Sequence, residues 1–90
     1  MYYVYVLRSL KYNQFYTGYT NNLKRRIGEH EKGTVHSTKY KRPLKLVYFE
    51  ACLNKEDAVK REKYLKTSYG KRYIKNRILN YLSVNITRVK

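Results

Sequence analysis

Ninety residues suit one domain and leave no room for a second, so binding and any chemistry must share one small core. Twenty-one Lys and Arg against six Asp and Glu give a formal charge of +15, spread along the whole chain rather than held in one tail. That field attracts a polyanion, nucleic acid above all, and makes binding salt-dependent. A membrane is disfavoured: no apolar run is long enough to span one, and no segment is basic on one face and broadly apolar on the other. Cys52 is the single cysteine and so has no disulfide partner within the chain, and His30, His36 and Cys52 lack zinc-site spacing. With Met1-Tyr2-Tyr3-Val4 leading straight into a strand-like run and no signal sequence, the expectation is a soluble, cytoplasmic protein, compatible with association with the nucleoid.

The elements follow in order. Residues 2–8, β-branched and aromatic with one charge at the end, suit a central strand. Lys11–Gln14 reads as a turn and Phe15–Thr20 as the return strand of a hairpin. Asn21 or Asn22 caps a helix running to about Lys32, with Gly33 as its stop. After a loop over 34–43 comes a third strand at about 44–51. Asn54 caps a second helix, with Glu56 and Asp57 complementing the dipole of its first turn, and this helix runs to about Thr67. Ser68–Gly70 then reads as a break, 71–82 as a basic helix, and 83–90 as a weakly specified basic tail behind a single domain of residues 1–82. The fold class is α+β: a small mixed or antiparallel three-stranded sheet flanked by helices in the order β-β-α-β-α-α.

Several polar residues sit where this pattern expects apolar ones. Ala58, Val59, Glu62, Leu65 and Tyr69 share one arc of the second helix, so Glu62 lies in the middle of an apolar stripe. A carboxylate aimed at a core is costly unless it is paired or bound to a cation, and both an ion pair with Lys or Arg and a metal ion satisfy that condition. On the first helix Leu23, Ile27 and His30 align, with Arg26 at the edge of the same arc. His30 is then either a half-buried histidine completing the stripe or a member of a site shared with Arg26. Lys24 and Arg25, in the same basic run, read as an exposed face for nucleic acid. In the hairpin, pairing with residue numbers summing to 23 sets Tyr5 opposite Gly18 and Tyr16 opposite Leu7, with both tyrosines on one side. A one-residue slip separates them. Gly18 inside a strand weakens packing unless a ligand or another backbone must come close.

Taken together, these residues resemble the GIY-YIG nuclease domain. Tyr3-Val4-Tyr5 stands in the place of the first tripeptide and Tyr16-Thr17-Gly18 in that of the second. Asn22-Leu23-x-x-Arg26-x-x-x-His30 and then Ala58-x-x-x-Glu62-x-x-Leu65-Lys66 follow, over about residues 2–78. Tyr3 replaces the first glycine and Thr17 the isoleucine, and neither change removes a reactive group. The resemblance is to the compact single-domain bacterial branch of a family that includes homing endonucleases, restriction enzymes and DNA excision-repair nucleases. It implies Tyr5 as general base, helped by Tyr16 and His30, with Arg26 holding the scissile phosphate and Glu62 a divalent metal. Gly18, Lys24, Arg25 and Lys66 would meet the nucleic acid, and Asn76 matches a polar position near the site in some members. A single carboxylate completed by water and phosphate oxygen suits Mg²⁺ or Mn²⁺.

Two function classes follow. One is a metal-dependent DNA endonuclease or nickase of low sequence specificity, since a chain without a recognition domain has little surface with which to read bases. The other is a non-catalytic DNA- or RNA-binding module that keeps the fold; it would need the Lys and Arg but not a stripe-facing Glu62. An ordinary tyrosine with a pKa of about 10 is a difficult base near neutrality. The strongly positive surround is expected to lower that value.

Overall fold

A computed structural model describes the backbone of residues 1–89 and the side chains through Val84. Three strands, β1 (Tyr2–Ser9), β2 (Phe15–Thr20) and β3 (Leu44–Cys52), form one antiparallel sheet in the order β2-β1-β3. Four helices accompany it: α1 (Leu23–Lys32), α2 (Lys55–Leu65), α3 (Ser68–Arg77) and α4 (Leu79–Val89). A single 3-10 turn covers Lys39–Lys41. The α+β class is as expected, and the sheet is purely antiparallel because β1 lies between β2 and β3 and pairs antiparallel with both, while α1 crosses over between the two outer strands.

β1 is central and is covered on both faces, so Val4, Tyr5, Val6 and Leu7 are all about 1% exposed. Strand alternation sends Val4 and Val6 to one side, where they meet Ala58, Leu65 and Ile74 of α2 and α3. Tyr5 and Leu7 point to the other side, toward α1. The hairpin register is the one with numbers summing to 23: Tyr5 faces Gly18 and Leu7 faces Tyr16. On the other edge a bulge between Val6 and Leu7 shifts the β3 register by one residue.

Both helix caps anticipated in the sequence are made. The Asn22 side chain accepts from Arg25 N–H, and that of Asn54 from Glu56 N–H. Gly33 ends α1, its N–H reaching the carbonyls of Glu29 and His30.

The C-terminal half differs from the expectation. α2 stops at Leu65, and Thr67 caps α3 by accepting from the Gly70 N–H, so Ser68–Gly70 is the first turn of a helix instead of a break. The glycine is there for a packing reason. A Cβ on Gly70 would collide with the carbonyl oxygen of Tyr64 and the backbone of Leu65, so its absence lets α3 start directly against the end of α2. The expected helix over 71–82 is two helices that meet at Ile78, a residue packed on the core at φ −111°, ψ 27°. The segment from Ser83, weakly specified in the sequence, is helical as far as Val89; Lys90 lies outside the described residues.

Gly70→Ala tests this reading. Although alanine is the better helix former by about 1 kcal/mol, overpacking against fixed backbone should destabilise the protein by roughly 1–3 kcal/mol net. Chemical denaturation measures it, and an unchanged or raised midpoint would contradict the close approach.

Candidate active site

The hairpin register puts the largest buried side chain of β1 over the smallest residue of β2. The Tyr5 ring crosses Gly18 so closely that a Cβ there would lie 2.6 Å from the Tyr5 hydroxyl and 2.7 Å from Cζ. Because β2 is an edge strand, the glycine lets the phenol reach past the ladder toward the sheet's edge. Gly18 is itself buried, so its contribution is space for Tyr5 and not the direct contact with nucleic acid anticipated for it.

Helix α1 brings His30 to that hydroxyl. Tyr5 Oη and His30 Nε2 are 2.8 Å apart, and the second ring nitrogen, Nδ1, is 2.7 Å from Thr38 Oγ1. His30 and Thr38 are both fully buried. The Tyr16 ring sits edge-on to His30 with centroids 5.2 Å apart and lies 6.4 Å from the Tyr5 ring. Tyr5, Tyr16 and His30 are thus brought together as the sequence pattern anticipated.

Burial pushes the His30 pKa down to about 4, helped by the positive charge of Arg26. The imidazole is therefore neutral at physiological pH and carries one N–H. The Thr38 hydroxyl can accept from Nδ1–H or donate to bare Nδ1, so it satisfies either tautomer. In the first arrangement Nε2 accepts from the Tyr5 phenol; in the second Nε2–H donates toward its oxygen, as a phenolate would require. Thr38 is a partner that the sequence did not single out. The available signal was indirect: a buried histidine needs a partner for each nitrogen, and the polar loop after α1 held one.

The Tyr5 pKa is raised, against the expectation of a lowered value. Desolvation by burial is the largest cause; the neighbouring Arg26 guanidinium opposes it, and the charges of Tyr16 and Glu62 add to it. The positive field is real, but the phenol lies too deep for it to prevail.

Arg26 and Glu62 flank this pair. Arg26 is partly exposed and donates from Nη1 to Glu29 Oε1 at 2.9 Å, while Arg25 Nε stands 3.8 Å from the other Glu29 oxygen. Arg26 raises its own pKa through Glu29 and Tyr5, and it holds the Glu29 carboxyl below its usual range. Glu29, which the sequence left unremarked, occupies the guanidinium fork that a phosphate would need. Such partly exposed pairs within one helix are weak and screened by solvent, so an incoming phosphodiester can displace it.

Glu62 is 14% exposed and pairs through Oε2 with Lys66 Nζ at 2.9 Å. The ion-pair explanation for a carboxylate on that stripe is therefore realised, and Lys66 is first of all the partner of Glu62. Lys66 is about half exposed and flexible, so it holds a place that another cation can take. Among the described residues no three His, Cys, Asp or Glu side chains converge as a metal cage. One half-buried carboxylate beside an open surface fits a hard divalent ion completed by water and phosphate oxygens. Lys24 and Arg25 are exposed on α1, and Arg25 and Arg26 line an open cleft of about 440 Å³ with Tyr2, Tyr19, Asn21 and Lys55. Asn76 is exposed on α3.

The chain is similar to known proteins over most of its length. Residues 1–79 match the family model of the GIY-YIG catalytic domain, and the chain belongs to that family. It is 49% identical over 67 residues to the UPF0213 protein CPE1444 of Clostridium perfringens, covering 73% of this chain and 71% of that one. It is 38% identical over 90 residues to a UPF0213 protein of Pediococcus pentosaceus, covering 99% and 92% of the two chains. The solution NMR structure of the UPF0213 protein BH0048 from Bacillus halodurans matches with a TM-score of 0.51 at 36% identity, over 82% of each chain.

The buried histidine makes stability pH-dependent. Folded His30 titrates near 4 against 6.5 for the free side chain, so the unfolded chain takes up the proton first. The stabilisation is complete above about pH 6.5 and is lost as pH falls toward 4, by about 3 kcal/mol in all. Denaturant titrations across this window should show that slope in the wild type and a flatter one in His30→Gln; equal slopes would mean that His30 is not held neutral.

Proposed function

We propose that the chain is a metal-dependent DNA endonuclease or nickase that hydrolyses phosphodiester bonds with low sequence specificity. The observation that carries this reading is the buried Tyr5–His30 pair set beside Arg26 and Glu62, a combination that a purely electrostatic binder has no need to assemble. Membership of a nuclease family supports it.

In this reading the phosphodiester displaces Glu29 from Arg26, whose guanidinium then binds two phosphate oxygens and stabilises their growing charge. Tyr5, as phenolate, takes a proton from a water molecule; the new oxygen–phosphorus bond forms as the bond to the leaving oxygen breaks. His30, kept neutral by burial, orients Tyr5 through Nε2 while Thr38 holds Nδ1. Glu62 would hold a divalent ion, Mg²⁺ or Mn²⁺, in exchange for Lys66, and that ion supplies Lewis acidity at the phosphate. Lys24, Arg25 and Lys66 contribute attraction for the backbone without base readout.

The competing reading is a non-catalytic nucleic-acid-binding module, and the Arg26–Glu29 and Glu62–Lys66 pairs favour it to the extent that they persist against DNA. Nicking of supercoiled plasmid by purified protein with Mg²⁺, Mn²⁺ or EDTA separates the two. Cleavage should require metal and fall by roughly a hundredfold or more in Glu62→Ala while DNA binding persists. Equal cleavage by the variant, or binding without cleavage by either protein, would turn the assignment toward the binder.

The raised pKa of Tyr5 sets the sign of a second test. With the phenol almost wholly protonated near neutrality, the phenolate fraction, and with it the rate, should rise about tenfold per pH unit. A profile flat from about pH 6 to 9 would remove Tyr5 as the base.

A further inference from the structure

A second cationic cleft lies at the opposite end of the hairpin from Gly18. It has a volume of about 390 Å³ and is lined by Arg8, Asn13, Phe15, Lys71, Lys75 and Leu82. Three cations thus face one hollow without a carboxylate among its walls. The six acids of the chain are placed elsewhere. Glu29 is with Arg25 and Arg26, Glu50 with Arg61, and Glu62 with Lys66. Glu56 and Asp57 stand in the first turn of α2, and Glu31 in a hollow with Lys39 and Arg42.

Arg8 is held in position by neutral groups. Its Nη2 donates to Asn13 Oδ1 at 2.7 Å and its Nη1 to the Tyr81 hydroxyl at 3.1 Å, with the guanidinium 5.6 Å from the Tyr81 ring centroid. Asn13 adopts a left-handed backbone, φ 57°, in the hairpin loop to present that amide. These contacts restrict the side chain, and among the described residues no carboxylate forms an ion pair with it. Of the five N–H donors of a guanidinium, two are used. Lys71 and Lys75, one turn apart on α3, are exposed and add mobile charge. Phe15 and Leu82 give the hollow an apolar side that suits a sugar or base edge more than a free inorganic anion.

The cleft and the candidate active site are built on the same hairpin. Arg8 pairs with Phe15, three ladder steps from the Tyr5–Gly18 pair, which at ~3.4 Å per residue is about 10 Å. Arg8 projects to the sheet face of Val4 and Val6, the face covered by the helix that carries Glu62 and Lys66. We propose that the Arg8–Lys71–Lys75 cleft is a second phosphate-binding site, which grips the nucleic-acid strand beyond the phosphate held by Arg26. This deepens the nuclease reading and rests on it only for the choice of nucleic acid as partner.

The test is fluorescence anisotropy in EDTA with a fluorescein-labelled single-stranded DNA of about fifteen nucleotides, titrated at several salt concentrations. The Lys71→Ala/Lys75→Ala variant removes two exposed side chains, and Lys32→Ala/Lys60→Ala removes the same charge from the outer surfaces of α1 and α2. The first variant should lower the slope of log affinity against log salt by about 1.4, two contacts at ~0.7 each, and weaken binding several-fold at low salt. The second should move the slope by less than half as much. If the two variants behave alike, the cleft is ordinary surface charge and the proposal fails. Because binding is read without metal, loss of the cleft leaves the Glu62 nicking test untouched, and absence of nicking leaves this result standing.

Discussion

Everything at the candidate site depends on the hydrogen bond between Tyr5 and His30, made by two side chains almost wholly withdrawn from bulk solvent. Two polar side chains at 1% and 0% exposure would cost several kcal/mol if unpaired. They persist because each completes the other and Thr38 completes the histidine. That chain of contacts also joins the central strand to α1 and to the loop after it, so the same interaction that aims the phenol fastens one face of the sheet. Gly18 is the condition for it, since any side chain there would meet the Tyr5 ring.

The other face is fastened differently. Glu50 receives both Nε and Nη2 of Arg61 and also accepts from the Tyr48 hydroxyl, while the Arg61 guanidinium lies 4.9 Å from the Tyr73 ring centroid. Burial and hydrogen bonding to Tyr73 and Glu50 push the Tyr48 pKa up, so this tyrosine stays a neutral donor. The two faces therefore use similar residue types for different ends. Around Tyr48 one carboxylate takes two bonds from a guanidinium and one from the phenol; around Tyr5 the guanidinium makes a single bond to Glu29 and borders an open cleft.

The charge balance takes on meaning once the acids are located. Three of the six carboxylates are spent on ion pairs with Arg and Lys, one of them between β3 and α2 and two within single helical turns. The remaining positive charge is left on α1, α3 and the hairpin, where a polyanion gains from it at low salt and loses that gain as salt rises. Arg26 and Glu62 are paired with neighbours one turn away on their own chain segment, and both partners, Glu29 and Lys66, are partly exposed, so each place can pass to a phosphate or a cation.

The family resemblance grouped Tyr5, Tyr16 and His30, the hairpin register stayed conditional and the first cap lay open between Asn21 and Asn22; the sequence by itself determined the central strand, the hairpin strands and the Asn54 cap. Each of these follows from local periodicity or from pairing a short hairpin, and a register slip would have turned a whole apolar face to water. Tertiary structure decided what depends on depth and on non-local neighbours. The sign of the Tyr5 pKa shift came from burial overcoming a positive field, which a count of charges cannot weigh. Thr38 as the second partner of His30, Glu29 in the fork of Arg26 and Lys66 on Glu62 are choices among several side chains within reach, made by the fold. Gly70 read as a break because glycine usually weakens a helix, whereas here it admits one helix against the end of another. Local sequence specifies where elements begin and which face they bury; only the packed chain fixes how close two backbones come and which charges remain unanswered.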